Sequence, residues 1–273
     1  MVPDRVTLSA LQQMKPDGRK IVAVVVYDYQ MAQIVDRARV DLVSVGDSVG
    51  VALWGHRSQL EVTLDQMVLV CQGVRRGVTR ALVSCDVPFG PLQDGPDAAV
   101  RAASRLVREG GADLVKLDAA SSFPEGVRAV VGAGIPVWAQ FGITPHTASQ
   151  HGGLTDSSSD RATAMKDRLI GEARLLEATG ASMLDFTNSG PVAGPAAVGA
   201  VRIPVLGGLG GGPWLDGRVR SVFAAIGYQA TAVGDPSARY ANVAEMALAA
   251  IETYGDDVRS ARQIRGAVPA QPL

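Results

Sequence analysis

The sequence lacks the features that mark several classes of protein. It has only two cysteines, Cys71 and Cys85, both in apolar stretches, so we expect buried thiols rather than a disulfide framework. The formal net charge is −1 and no basic stripe stands out, which argues against a nucleic-acid partner. No apolar run reaches the roughly 18 residues of a membrane span, and no signal peptide is visible. These absences predict a cytoplasmic protein that binds no membrane.

The composition is that of a globular α/β protein. Hydrophobic residues make up 47 % of the 273 residues and charged residues 19 %, which provides ample material for a core. This length suits one α/β barrel. No stretch has the character of a domain linker. We therefore predict a single domain over residues 1–273, with short terminal extensions at 1–19 and 264–273.

Short apolar runs alternate with longer amphipathic stretches along the chain. Residues 21–26 are continuous and rich in valine, as in a strand buried on both faces, and 64–76 has helical spacing after a possible N-cap at Thr63. The rhythm predicts a parallel sheet closed into a (β/α)8 TIM barrel, with a doubly wound open sheet as the alternative. The predicted strands are 21–26, 42–45, 81–85, 114–117, 136–141, 183–186 and 203–206.

Charged residues stand where several of these strands end. Asp47, Asp86 and Asp118 follow neighbouring strands, and Lys116 lies beside Asp118. Barrel enzymes build their sites at this rim, where converging carboxylates repel each other unless a cation neutralises them. Oxygen ligands of this kind suit Mg²⁺. Taken singly, each aspartate could instead be a helix cap or a turn residue.

An ordered set of segments then resembles one known family. The chain is similar to the ketopantoate hydroxymethyltransferases, which are TIM barrels of the phosphoenolpyruvate mutase/isocitrate lyase type. The resemblance implies Mg²⁺, 5,10-methylenetetrahydrofolate as one-carbon donor, a small 2-oxo acid such as 2-oxoisovalerate as substrate, and a homo-oligomer. The segments that carry it are Tyr27-Asp28-Tyr29, Gly46-Asp47-Ser48, Thr63-Leu64-Asp65, Asp86-Val87-Pro88-Phe89, Lys116-Leu117-Asp118 and Phe141-Gly142-Ile143-Thr144-Pro145.

The resemblance also implies roles for individual residues. Asp47 and Asp86 would ligate Mg²⁺, and Asp118, which stands where the family has glutamate, would complete the metal site. Ser48 and Lys116 would hold the 2-oxo acid. The keto and carboxylate oxygens of the acid would chelate the metal, which places Asp47 and Asp86 against the substrate as well.

The second half of the site departs from the family pattern. Thr187 occupies the position of the family's glutamate base, and threonine is no base near neutral pH. Asp185, two residues earlier on the same strand face, could take this role or could lie deeper in the barrel. A histidine, His146 or His151, is a further alternative.

Two more departures affect substrate and donor. Gln140 replaces a family histidine near the keto acid, which alters the hydrogen bonding there. The segment from Leu154 to Asp156, followed by a serine run, differs from the family's lid. The resemblance therefore supports three hypotheses: a hydroxymethyltransferase with a rearranged base, a relative that runs another aldol, retro-aldol or lyase reaction, or a non-catalytic oligomer partner.

Overall fold

Eight parallel strands close into a barrel in which each strand pairs with the next along the chain and β8 pairs with β1. The computed structural model describes residues 5–153 and 163–266. The predicted (β/α)8 barrel is confirmed. The strands are β1 Ile21–Val25, β2 Leu42–Val45, β3 Leu82–Val87, β4 Leu114–Leu117, β5 Val137–Gly142, β6 Met183–Thr187, β7 Val205–Gly207 and β8 Gly217–Ser221.

The chain divides into two compact units, Met1–Ser221, which holds the barrel, and Val222–Leu273. None of the helices in the described residues is long and apolar enough to cross a membrane. The helices of the first unit are α1 Leu8–Met14, α2 Tyr29–Arg37, α3 Val49–Ala52, α4 Leu64–Gly77, α5 Pro96–Arg108, α6 Pro124–Gly132, α7 Lys166–Ala178 and α8 Gly190–Ala200. The second unit contains α9 Val222–Ile226 and α10 Val243–Arg259.

Local sequence signals explain where several helices begin. Thr63 caps α4, because its hydroxyl accepts a hydrogen bond from the Gln66 amide at 3.3 Å while the Gln66 side chain accepts one from the Thr63 amide at 2.8 Å. This reciprocal capping box satisfies two backbone donors that a helix start would otherwise leave unpaired. Proline lies in the first turn of α5 and of α6. Its lack of a backbone N–H costs nothing there, because the amides of a first turn have no acceptor within the helix.

A cluster of apolar side chains, called the plug below, fills the barrel interior near the amino-terminal ends of the strands. It takes residues from all eight strands and is closed from below by Leu11 and Met14 of α1. The segment 1–19, predicted to be a terminal extension, thus contributes a helix to the core. The strand residues of the plug are Ile21, Ala23, Leu42, Leu82, Leu114, Trp138, Met183, Leu206 and Val219.

Several elements have no counterpart among the predicted ones, and two of them show why. The first is β8, where Arg218 and Arg220 are exposed and alternate with the buried Val219, so no apolar run marks the strand. The second is α8, which is rich in glycine and alanine and contains Pro195 inside the helix. Glycine and proline disfavour helix in isolation, so packing in the folded chain must decide the conformation of this segment.

Candidate active site

The predicted acidic residues do come together at the carboxyl ends of the strands. Asp47 follows β2 and Asp86 lies near the end of β3. The Asp47 amide donates to the Oδ2 atom of Asp86 at 3.4 Å. Both residues sit on adjacent parallel strands, whose carboxyl ends meet at one rim. This contact places two carboxylates side by side.

The environment of Asp86 suits a cation ligand. The pKa of this carboxyl is raised to about 7: burial is the largest cause, the charge of Lys116 opposes it, and the charges of Asp47 and Asp185 add to the rise. Its Oδ1 atom is buried and has no hydrogen-bond partner among the described residues. A divalent ion would supply the missing partner and stabilise the ionised form, so Asp47 and Asp86 fit Mg²⁺.

Asp118 is turned toward a neighbouring loop rather than toward this pair. Its side chain accepts hydrogen bonds from the backbone amides of Ala119 and of His146. Among residues 5–153 and 163–266, no three His, Cys, Asp or Glu side chains form a group that could hold a metal. Two carboxylates with waters and substrate oxygens can still suffice for Mg²⁺. The role of Asp118 as a third ligand stays a prediction.

His146 reaches into the rim from the loop after β5. Its Nε2 atom lies 2.9 Å from the Oδ2 of Asp47, and its Nδ1 atom lies 3.8 Å from the Oδ2 of Asp118. Burial lowers the pKa of the imidazole, but the hydrogen bond to Asp47 and the charge of Asp118 outweigh it, so the pKa is raised overall. Both ring nitrogens face carboxylates. The side chain of His151, the other histidine of this loop, lies outside the described residues.

Lys116 and Asp185 form a buried ion pair across the barrel interior. The Nζ of Lys116 lies 2.8 Å from the Oδ2 of Asp185, and Asp185 is only 2 % exposed. The same ammonium lies 5.0 Å from the ring centroid of Trp138, within range of a cation–π contact. Burial lowers the pKa of Lys116, but Asp185 and Asp86 together raise it, which keeps the lysine charged.

A neutral pair stands at the opposite side of the rim. The Nε2 of Gln140 donates to the Oγ1 of Thr187 at 2.8 Å, and both side chains are buried. Ser48 lies apart from this pair, and its hydroxyl is 3.0 Å from that of Tyr27. The rim therefore has a charged side at β2, β3 and β4 and an uncharged side at β5 and the end of β6.

Comparison with known proteins identifies the scaffold. The sequence model of the family described as ketopantoate hydroxymethyltransferase matches residues 5–263. The chain belongs to this family. It is 35 % identical to 3-methyl-2-oxobutanoate hydroxymethyltransferase of Christiangramia forsetii, covering 94 % of this chain and 93 % of the relative. The enzyme of the same name from Moorella thermoacetica is 37 % identical, with 94 % and 95 % covered.

Solved structures extend the likeness to the fold. A 2,3-dimethylmalate lyase, described as a PEP mutase/isocitrate lyase superfamily member, aligns with a TM-score of 0.62 at 15 % identity, covering 99 % of this chain and 93 % of that one. A phosphonopyruvate hydrolase in complex with oxalate and Mg²⁺ aligns at 0.60 and 12 % identity, with 98 % and 92 % covered. The predicted barrel fold and the predicted transferase family are both confirmed.

Because the chain belongs to the ketopantoate hydroxymethyltransferase family, the residues on the uncharged side of the rim can be compared with the family pattern. The position where the resemblance implied a glutamate base holds Thr187, and its hydroxyl is bonded to Gln140. Asp185, one pleat lower, has its Oδ1 atom buried without a partner among the described residues. The segment 154–159, where the sequence departs from the family's lid, lies outside the described part of the chain.

Proposed function

We propose that this protein catalyses Mg²⁺-dependent hydroxymethyl transfer onto an enolised small 2-oxo acid such as 2-oxoisovalerate, with 5,10-methylenetetrahydrofolate as donor. The carrying observation is the Asp47–Asp86 pair, in which a buried carboxylate with a raised pKa and an unpartnered oxygen awaits a cation. Family membership supports the reaction class. A bound Mg²⁺ would polarise the keto group of the acid, which is worth several kcal/mol of transition-state stabilisation.

We assign the general base to Asp185. Of the three candidates, Thr187 is a hydroxyl already bonded to Gln140, and the imidazole of His146 has carboxylates at both nitrogens. Asp185 keeps one oxygen unpartnered among the described residues and is a carboxylate. It would accept the C3 proton, and Lys116 beside it would retain the charge balance during the transfer.

The other residues bind and orient. Lys116 and Ser48 would hold the carboxylate of the 2-oxo acid, and Gln140 with Thr187 would face its keto end through neutral hydrogen bonds. His146 would orient Asp47 through the contact at 2.9 Å. Asp118 would hold the loop that carries His146, because it accepts the backbone amide of that residue at 3.2 Å.

Deuterium exchange at C3 of 2-oxoisovalerate, followed by proton NMR in D₂O with and without Mg²⁺, tests this function without assuming any one-carbon acceptor. We expect metal-dependent exchange that disappears in Asp47→Asn. Adding 5,10-methylenetetrahydrofolate should then convert the acid into its hydroxymethyl product. Metal binding without exchange would contradict the assignment of 2-oxoisovalerate.

A second candidate is a different aldol, retro-aldol or lyase reaction on another 2-oxo acid. It is favoured by the neutral Gln140–Thr187 pair at the place where the resemblance implied a base. Exchange on a different acid, without any dependence on folate, would select this reaction. The third hypothesis, a non-catalytic barrel, predicts that Mg²⁺ neither binds nor protects the protein against heating.

Self-association into a homo-oligomer and a cytoplasmic location are part of the same proposal. Helix α10 supports self-association, because its apolar residues Met246, Ile251 and Tyr254 are 70 %, 67 % and 51 % exposed. A patch of this kind commonly marks an interface. Light scattering after size-exclusion chromatography should give more than one chain per particle, and a monomer would contradict the proposal.

A further inference from the structure

The interior layer directly above the apolar plug is polar on five consecutive strands. Each of its members lies two residues after a plug residue of the same strand, and therefore on the same inward face. Barrel interiors are usually filled at such positions by Val, Ile and Leu. The layer consists of Ser44 of β2, Ser84 of β3, Lys116 of β4, Gln140 of β5 and Asp185 of β6.

Several polar atoms in and beside this layer lack a hydrogen bond. Ser44 and Ser84 are partners in the β2–β3 register and both are fully buried, yet neither hydroxyl has a partner among the described residues. The same holds for the Nε1 of the fully buried Trp138 and for the Oδ1 of Asp185. Buried polar groups are rarely left unsatisfied, because each one has given up its hydrogen bonds to water. Several unpartnered polar atoms in and beside one layer indicate a place that receives a further hydrogen-bonding group.

The chemistry of these atoms restricts what that ligand can be. Trp138 can only donate a hydrogen bond, whereas the two serine hydroxyls can donate or accept one. The layer carries no net charge, because the ammonium of Lys116 lies 2.8 Å from the carboxylate of Asp185. Ser44, Ser84 and Trp138 are themselves uncharged, so they offer an ion no counter-charge. A neutral group that both donates and accepts, namely a hydroxyl, fits them.

We propose that Ser44, Ser84 and Trp138 form a binding site for neutral hydroxyl groups in the barrel interior. The site lies beneath the metal site, since Ser84 precedes Asp86 by one pleat on β3. Its occupant is either ordered water or a hydroxyl on the side chain of the 2-oxo acid. A substrate hydroxyl as the occupant rests on the proposed function, and it would make this chain selective for hydroxylated 2-oxo acids.

The first arm of the test concerns water and needs no activity. A crystal structure of the full chain without substrate, at about 1.5 Å, should show water oxygens within hydrogen-bond distance of the Ser44 and Ser84 hydroxyls. Ser44→Val/Ser84→Val should displace them, because valine fills the space and offers no polar atom. Ser44→Ala/Ser84→Ala removes the hydroxyls but keeps the room, and serves where the valine variant fails to fold.

The second arm compares two acids that differ by one hydroxyl, 2-oxobutanoate and 4-hydroxy-2-oxobutanoate, in the C3 exchange assay. If the substrate supplies the hydroxyl, kcat/KM should favour the hydroxylated acid by about tenfold or more, and the paired serine variants should abolish the preference. The matched control is Ser182→Val, at the residue directly before β6, whose side chain alternates with that of the plug residue Met183 and which should keep the preference.

The outcomes are separable. A preference that the serine variants remove supports the substrate as the source, and ordered waters without any preference support water as the source. Absence of waters at both serines, combined with equal kcat/KM for the two acids, overturns the proposal. Calorimetric titration with Mg²⁺ detects failure of the proposed function independently, since the serine variants should retain wild-type metal affinity.

Discussion

Two sides of one barrel rim differ in charge. At β2 and β3, Asp47 and Asp86 lie side by side and the pKa of Asp86 is raised to about 7. At β5 and β6, Gln140 and Thr187 form an uncharged hydrogen bond. The first side keeps what a divalent ion requires, and the second lacks a base at its expected height. This difference is the basis of the proposal that Mg²⁺ chemistry is retained and that Asp185, rather than the residue at position 187, accepts the proton.

Removing a carboxylate from the charged side should have the largest effect. We expect Asp47→Asn to lower the C3 exchange rate by about 10³-fold or more, because Mg²⁺ stabilisation of an enolate is worth several kcal/mol. Calorimetry should show a parallel loss of Mg²⁺ affinity. Asp65→Asn is the control, since that side chain is 82 % exposed and remote in role. Wild-type exchange in Asp47→Asn would remove the metal from the proposed mechanism.

On the side of the rim at β5 and β6, we expect replacing Asp185, rather than Thr187, to lower the exchange rate nearly as much. Asp185→Asn should lower the exchange rate by about 10²–10⁴-fold, as expected for a lost general base, with Mg²⁺ still bound. Adding Thr187→Glu to this variant restores a carboxylate where the resemblance implied one, and should recover part of the rate. If Asp185→Asn exchanges normally, the base lies elsewhere, with His146 the next residue to replace.

The pH dependence of metal binding should separate the two sides again. The pKa of Asp86 is raised from its ordinary 3.8 to about 7, so the metal-free folded chain holds a proton that the unfolded chain has released. The protonated Asp86 therefore stabilises the metal-free folded state fully below pH 3.8, and this stabilisation is lost as the pH rises through about 7.

Because Mg²⁺ requires the ionised carboxylate, its affinity should rise about tenfold per pH unit below pH 7 and then level off. Calorimetric titrations at several pH values measure this slope, and Asp86→Asn should flatten whatever binding remains. A slope near zero in the wild-type protein would contradict the assignment of Asp86 as a ligand.

The smallest effect is expected at Thr187 itself. Thr187→Val keeps the shape but removes the hydroxyl that accepts from Gln140 at 2.8 Å. The net loss of one such hydrogen bond is about 1 kcal/mol, or roughly fivefold in rate. A loss of 10²-fold or more would mean that the uncharged side takes part in proton transfer directly.

Much of the scaffold was predictable from the sequence because its signals are local. The buried strand runs β2 and β4 agree with the predicted 42–45 and 114–117, and the cap of α4 at Thr63 is confirmed. Apolar periodicity and capping act within a few residues, so one stretch of chain carries the information. Strand β8 was not predicted, because its sequence has only one buried valine, which lies between two exposed arginines.

The composition of the site was also readable, since strand ends in a parallel barrel meet at one rim. The sequence alone determined that Asp47, Asp86 and Lys116 would be neighbours there. Only the tertiary structure decided how each side chain is used: Lys116 turns to Asp185, Asp118 turns to the loop of His146, and Ser44 faces Ser84 inside the barrel. Pairings of this kind depend on distances across strands, which local sequence does not encode, and on burial, which makes each unpaired polar atom costly.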